Sequence, residues 1–385
     1  MYSSHHTSRS SATNKFVCAL SFVTFSFCWL YLFQADVLCV AQHVLSGGQT
    51  TYNPIVGAVL ITLVLQLIQM LAMAVCRLHR RTHALTYFPS MLVLAVVSDI
   101  NTDIDRHFSF GAWLWVVPVL LIAWGVVVWL ARQIMPFENV KEPTGLFSRR
   151  VWVNVLLMVL MMMGVALVGN THAVFHFQAH AEYALTQGNT AEVLRTGDRS
   201  LETSADMTML RAFALSKEGM LPERLFRYPI VGRSEDLLPL QGSHSRLMLL
   251  SADTLWRHFG ARPSGPVSTA RYLQLLERDS LATPAVADYV LCGCLIDRDI
   301  DTFARLLPRY YAVNDTLPCH YREALTLYTH LRAHPVVVYQ NAVAEEDWAD
   351  LQRLVRRYTD PRERKAKMAE RYWGSYWYYY YNGEH

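Results

Sequence analysis

Charge is nearly missing from the first 170 residues of this 385-residue chain. Only ten of its 35 Lys and Arg residues and six of its 32 Asp and Glu residues precede Asn170. The later part holds 25 basic and 26 acidic side chains, a net charge of −1, so the overall +3 resides in the apolar half. Such a balance leaves no clustered basic face for a phosphate backbone, which excludes nucleic acid as an expected partner. A disulfide framework is missing too, because Cys18, Cys28 and Cys76 lie in apolar runs, Cys39 in a short loop, and only Cys292, Cys294 and Cys319 fall late in the chain. A bridge from Cys319 to Cys292 or Cys294, or three buried thiols, both fit that spacing. The chain also lacks a Gly-rich phosphate loop, a nucleophile elbow and a zincin motif, so no catalytic residue, cofactor or resident metal is predicted.

What is present is apolar length. A bilayer core of about 30 Å needs about 20 apolar helical residues, because each backbone polar group must be satisfied within the segment. Runs near 16–33, 55–76, 110–131 and 151–169 approach or exceed that length without a charged side chain. A shorter run near 84–98 carries Pro89 and fits a tilted span, a re-entrant hairpin or a helix buried among the others. Loop charge favours counting it as a span: Arg9 and Lys15, then Arg77, Arg80 and Arg81, then Arg132, Lys141, Arg149 and Arg150 fall on one side only if all five runs cross. The expected topology is a cytoplasmic tail 1–15, a transmembrane domain 16–169, an extracytoplasmic domain 170–371 and an aromatic tail 372–385. The first run reads as an uncleaved anchor rather than a signal peptide, since bulky Trp29, Tyr31 and Phe33 close it and no small-x-small site follows. Trp113, Trp115, Trp124 and Trp129 suit interfacial belts at the ends of the fourth run.

Beyond Asn170 the pattern is helix and turn, without useful strand alternation. Tyr183-Ala-Leu with Gly188 recurs as Phe213-Ala-Leu with Gly219, an offset of 30 to 31 residues, and Tyr289 and Tyr321 stand 32 apart. Helices are expected at 270–279, 285–295, 301–311 and 321–333, with an ordered loop at 228–244. The fold class is therefore all-α: a polytopic transmembrane domain followed by an α-helical, tetratricopeptide-like repeat domain, although the full repeat consensus is not met. An Arg-rich helix after Glu345 reads as a solvated face, and the aromatic tail either packs on its own domain or meets lipid or a partner.

Four residue groups invite a chemical reading. His172, His176 and His180 would stack on one face of a helix continuing out of the last span, a spacing that can hold zinc or copper only with further ligands, so a polar stripe is the preferred reading. Asp99, Asn101, Asp103 and Asp105 open like a calcium loop, but Ile104 and Phe110 occupy the positions that need Gly and Glu. Cys292-Gly-Cys294 with Cys319-His320 could suggest a metal or redox constellation, yet residues two apart point to different helix faces. Gln66, Gln69 and Asn154 are polar residues expected to hydrogen-bond between spans. No ionisable residue lies within the apolar runs, which disfavours a pump or ion-coupled carrier.

The segments Gln34-Ala-Asp-Val, Gln42-His-Val-Leu-Ser-Gly-Gly, Ala84-Leu-Thr-Tyr-Phe-Pro-Ser and Leu317-Pro-Cys-His-Tyr-Arg-Glu-Ala-Leu, with the aromatic tail, resemble an uncharacterised family of Gram-negative bacterial membrane proteins. The resemblance implies a multi-pass inner-membrane protein with a C-terminal tetratricopeptide-like domain and supplies no catalytic residues. The expected function is a membrane-anchored scaffold whose helical domain binds an envelope protein or peptide. The alternative is a glycosyltransferase-like enzyme using a lipid-linked donor, since such enzymes resemble this chain in placing an acidic residue just outside the first span, here Asp36.

Overall fold

The computed structural model describes residues 3–76, 78, 80–107, 109–134 and 148–383, and these form two compact units, Met1–His172 and Ala173–His385. Arg77 and Lys141, used above to orient the spans, lie outside the described residues, as do the last two residues of the tail. Among the described residues the secondary structure is helical, with no strand.

The first unit contains α1 (Ser3–Cys28), α2 (Ala35–Leu45), α3 (Pro54–Cys76), α4 (Phe88–Ser98), α5 (Trp113–Ile134) and α6 (Arg149–Val168). Four stretches are long and apolar enough to cross a membrane: Ala12–Phe33, Pro54–Cys76, Trp113–Gln133 and Arg149–Val168. Their outward faces carry Leu, Val and Phe, and α5 is the barest, with Trp115 79% exposed. Leaving one such side chain in water forfeits about 1.5–3 kcal/mol, so faces of this extent would gain from an apolar surround.

The run at 84–98 departs from the expected single helix. Arg80–Tyr87 is a 3₁₀ segment that passes into the 11-residue α4, and both pack among α1, α3 and α6. Side chains from neighbouring helices maintain the tighter winding. Asn154 of α6 accepts from the Ala84 amide at 2.7 Å, Trp124 of α5 donates to the Leu85 carbonyl at 2.9 Å, and Gln69 of α3 donates to Thr86 at 3.1 Å. The expected interhelical role of Gln69 and Asn154 is thus visible, and Gln66 donates to Gln69 at 2.9 Å. Trp124 needs a correction: it sits midway along α5 with its indole turned to the 3₁₀ segment, away from either belt.

At the end of α6 the chain is pinned rather than free. The Asn170 amide donates to Ser98 O at 2.8 Å and its side chain to Ile100 O at 2.6 Å, while Gln34 donates to Asn170 O at 2.9 Å.

The second unit contains α7 (Ala173–Thr186), α8 (Thr190–Arg195), α9 (Ala205–Lys217), α10 (Leu221–Arg224), α11 (Ala252–Phe259), α12 (Thr269–Arg278), α13 (Pro284–Ile296), α14 (Ile300–Tyr310), α15 (Cys319–Leu331), α16 (Ala342–Arg357), α17 (Pro361–Tyr372) and α18 (Tyr376–Asn382). From α12 onward each helix packs on the next. A left-handed residue stops four of the helices in the same way, at Gly188 (φ 73°), Gly219 (φ 67°), Ser280 (φ 56°) and Arg298 (φ 58°). In each turn the following amide bonds the carbonyl five residues back: Asn189 to Ala184, Met220 to Leu215, Leu281 to Leu276 and Asp299 to Cys294, all at 2.8–2.9 Å. This is the 6→1 bond of a Schellman stop. Asn189 and Asp299 then cap α8 and α14 through their side chains, so α7–α8 and α13–α14 are the same tight hairpin.

Aromatic residues fill the core. Phe213, Phe259, Tyr289, Phe303, Tyr321 and Tyr376 are fully buried, and the Phe259 and Tyr289 rings meet edge to face at 4.6 Å. The irregular segment after α10 is held by a buried carboxylate: Glu182 of α7 accepts through one oxygen from the amides of Met248, Leu249 and Leu250 at 2.8, 2.6 and 3.0 Å, and Gln178 reaches its other oxygen at 3.2 Å. The basic stretch after Glu345 is two helices, because Asp360 caps a new one that begins at Pro361; Asp350 pairs with Arg353 within α16 and with Arg371 across the break. The aromatic tail packs on its own unit as α18, burying Tyr376, Trp377 and Tyr379. Trp377 donates to Glu323 O at 2.7 Å and Tyr379 to Ile296 O at 2.8 Å.

Candidate functional site

Between α15 and α16 the chain is irregular, bending at residues 333–334 and 336–337. Pro335 cannot continue a helix, and the next helix starts only where Asn341 caps the Ala344 amide. Its side chains alternate: Val337 packs partly and Tyr339 is 3% exposed, whereas Val336 and Val338 are 74% and 57% exposed. Two amides are bound by α15, Val336 to Tyr328 Oη at 3.1 Å and Tyr339 to Thr329 Oγ1 at 3.5 Å. Among the described residues no backbone-to-backbone hydrogen bond involves residues 333–340. Leu331 and Val343 extend the exposed apolar strip at its two ends. Beside it lies a 380 Å³ cavity lined by Thr329, His330, Gln340, Asn341, Ala342 and Glu345, where His330 and Glu345 pair at 2.7 Å. A segment without backbone-to-backbone bonds and with period-two apolar exposure can receive a further chain segment alongside it.

At the other end of α15, Cys319, His320 and Glu323 converge, with one donor atom from each lying within 4.8 Å of the others. His320 Nδ1 stands 2.9 Å from Glu323, the Cys319 thiol donates to Glu323 over 3.6 Å, and Glu223 of α10 accepts from the Cys319 amide at 3.1 Å. Burial, then the Glu323 and Glu223 carboxylates, push the Cys319 thiol up to about 12. His320 is 1% exposed, and its Nε2 is buried without a hydrogen-bond partner. Glu323 also accepts from the first amide of α18 at 2.7 Å, which ties the group to the aromatic C-terminal helix.

Within the first unit, a 560 Å³ cavity is lined by α2 (Leu38, Ala41, Gln42), by α4 and its exit (Val96, Val97, Asp99, Asn101), and by Trp113. Through Val96, Val97, Phe110 and Trp113 it continues into a 500 Å³ groove between α4 and α5 lined entirely by apolar residues. Asp99 is the carboxylate at the mouth and accepts from the Trp113 indole at 2.7 Å.

The residues singled out by sequence fare unevenly. Of the expected His172, His176 and His180 stack only His176 and His180 share a helix face, in α7; His172 falls outside it, because α6 ends at Val168, Gly169 turns extended at ψ 149°, and α7 begins only at Ala173. His180 meets Glu192 at 3.4 Å. Asp36 is half-buried in the first turn of α2, where a carboxylate complements the helix dipole, and it does not line the cavity. Asn101 accepts from the Asp103 amide at 3.0 Å, forming a local turn rather than a cation loop. All seven cysteines are free thiols: Cys292 is fully buried against Tyr321 at 3.6 Å, while Cys319 faces Glu323. Glu223 and Glu323 carried no signal as partners in the sequence, since they stand 100 residues apart in it; the Cys-His-x-x-Glu spacing at a helix start was the only visible hint.

Residues 267–383, under a third of the chain, match a family of unknown function (DUF6057). This span includes 317–325 and most of the aromatic tail, but none of the resembling segments of the first unit. No curated protein and no solved structure matches the chain.

Proposed function

We propose that the chain is a multi-pass inner-membrane scaffold whose second unit, in the periplasm, captures an extended segment of an envelope protein or peptide. The exposed Val336–Val338 strip carries this reading, because it makes no backbone-to-backbone hydrogen bond and offers apolar contact to a partner chain. The repeated hairpin turns support a tetratricopeptide-like array, a form that presents extended binding surfaces. Length supports a fifth crossing: with Arg80 and Arg81 left in the basic loop, Thr82–Ser98 spans roughly 28 Å at about 2.0 Å per 3₁₀ residue and about 1.5 Å per α residue, close to a bilayer core. Five crossings keep the basic loops and the N-terminus cytoplasmic and put the second unit outside. A photo-crosslinking residue at position 338 of the full chain in cells tests the reading. A discrete adduct, lost in Val336→Asp, is expected; absence of any adduct from 336, 338 and 340 sinks it.

A second reading, an enzyme acting on a lipid-linked donor, draws on the cavity that continues into the α4–α5 groove, a shape suited to a polar head and an apolar chain. Asp36 is its acidic candidate, with Asp99 nearer the cavity. A cellular phenotype unchanged in Asp36→Asn and Asp99→Asn would reject it.

A further inference from the structure

The start of α15 brings together three donor types that share one preference in metal chemistry: a thiol, an imidazole nitrogen and a carboxylate. In a tetrahedral site with metal–sulfur bonds near 2.3 Å and metal–nitrogen or metal–oxygen bonds of about 2.0–2.2 Å, donors stand roughly 3.4–3.6 Å apart. Cys319 Sγ stands 3.6 Å from one Glu323 oxygen and His320 Nδ1 2.9 Å from the other, and one donor atom from each residue lies within 4.8 Å of the others, so side-chain adjustment can bring the three about one ion. Hydrogens on the thiol and the imidazole now bridge these atoms, and a divalent ion would replace both. Glu223 accepts from the Cys319 backbone amide and so braces the start of α15 from α10.

We infer that Cys319, His320 and Glu323 bind one zinc-class divalent cation, with a water in the fourth position. Through Glu323 the site also holds the first turn of α18, while Glu223 of α10 steadies it from the Cys319 backbone. The group stands on α15 at the opposite end from the proposed binding strip, so it does not depend on the scaffold reading.

The test uses the full chain, purified in detergent, stripped with a chelator and titrated with cobalt(II). The expected result is one cobalt per chain with a thiolate-to-cobalt charge-transfer band and the intense visible bands of tetrahedral coordination, displaced by zinc. Cys319→Ser, which keeps the shape of the side chain, is expected to abolish the charge-transfer band, and Glu323→Gln to weaken binding at least tenfold. Cys294→Ser is expected to leave both unchanged. Absence of cobalt binding by the folded wild type, or a charge-transfer band that persists in Cys319→Ser, overturns the inference.

Discussion

Replacing Glu182 by Ala removes the one acceptor that serves three successive amides, those of Met248, Leu249 and Leu250. Glu182 is fully buried, so water cannot simply take its place at van der Waals distance. A buried donor left without an acceptor costs about 1–3 kcal/mol. Partial relaxation of the segment saves some of this, and a net loss of roughly 3–5 kcal/mol is expected, a large share of the 5–15 kcal/mol typical of a folded domain. At about 2–4 °C per kcal/mol for a unit of this size, the Tm of the second unit falls by roughly 6–20 °C. Glu182→Gln retains one carbonyl oxygen and, with the Gln178 amide turned over, loses only about 1–2 kcal/mol. Hydrogen exchange read by mass spectrometry on the full chain locates the effect. In Glu182→Ala the amides 248–250 exchange first, ahead of the α13 and α15 core. Protection at 248–250 equal to wild type, or a Tm within 2 °C of it, would refute the reasoning that this carboxylate organises the segment.

Gly260 has φ 123°, and a Cβ there would lie 1.9 Å from Leu281 O; Gly260→Ala is therefore expected to cost at least ~3 kcal/mol, measured by chemical denaturation. Ser280 holds a left-handed conformation with a Cβ, so Ser280→Gly is expected to raise stability by about 1 kcal/mol in the same assay. His258 is held below its usual range by burial and then by Lys217, and stands 2.8 Å from Ser216 Oγ. Its folded value lies below its unfolded one, so the neutral form stabilises the fold above the ordinary pKa of about 6.5, and that contribution is lost as pH falls below it. The decline in Tm between pH 7 and 5 should be shallower in His258→Gln, and an unchanged slope would discount this histidine.

The long apolar runs and most helices of the second unit were legible because their signals are local. The expected helix at 285–295 is Pro284–Ile296, and that at 301–311 is Ile300–Tyr310. The 3₁₀ winding of Arg80–Tyr87 was hidden because Asn154, which serves its Ala84 amide, lies 70 residues away. Two of the four helix stops escaped notice because Ser280 and Arg298 occupy positions where glycine is the usual marker. The exposed strip was hidden for a different reason: Val336, Val337, Val338 and Tyr339 are all apolar, so their alternation between surface and core leaves no trace in the sequence. Glu182 looked like any helical glutamate, since its three partners come from a segment without regular structure.

Asn170 fixes how mechanical load enters the first unit. Its backbone amide, its side chain and its carbonyl are tied to the end of α4, to Ile100 and to Gln34 before α2. A pull applied to the chain beyond this residue therefore divides among three anchor points instead of unwinding α6 from its last turn. Asn170→Gly would cut the side-chain tie to Ile100 and leave the load on the two backbone anchors alone.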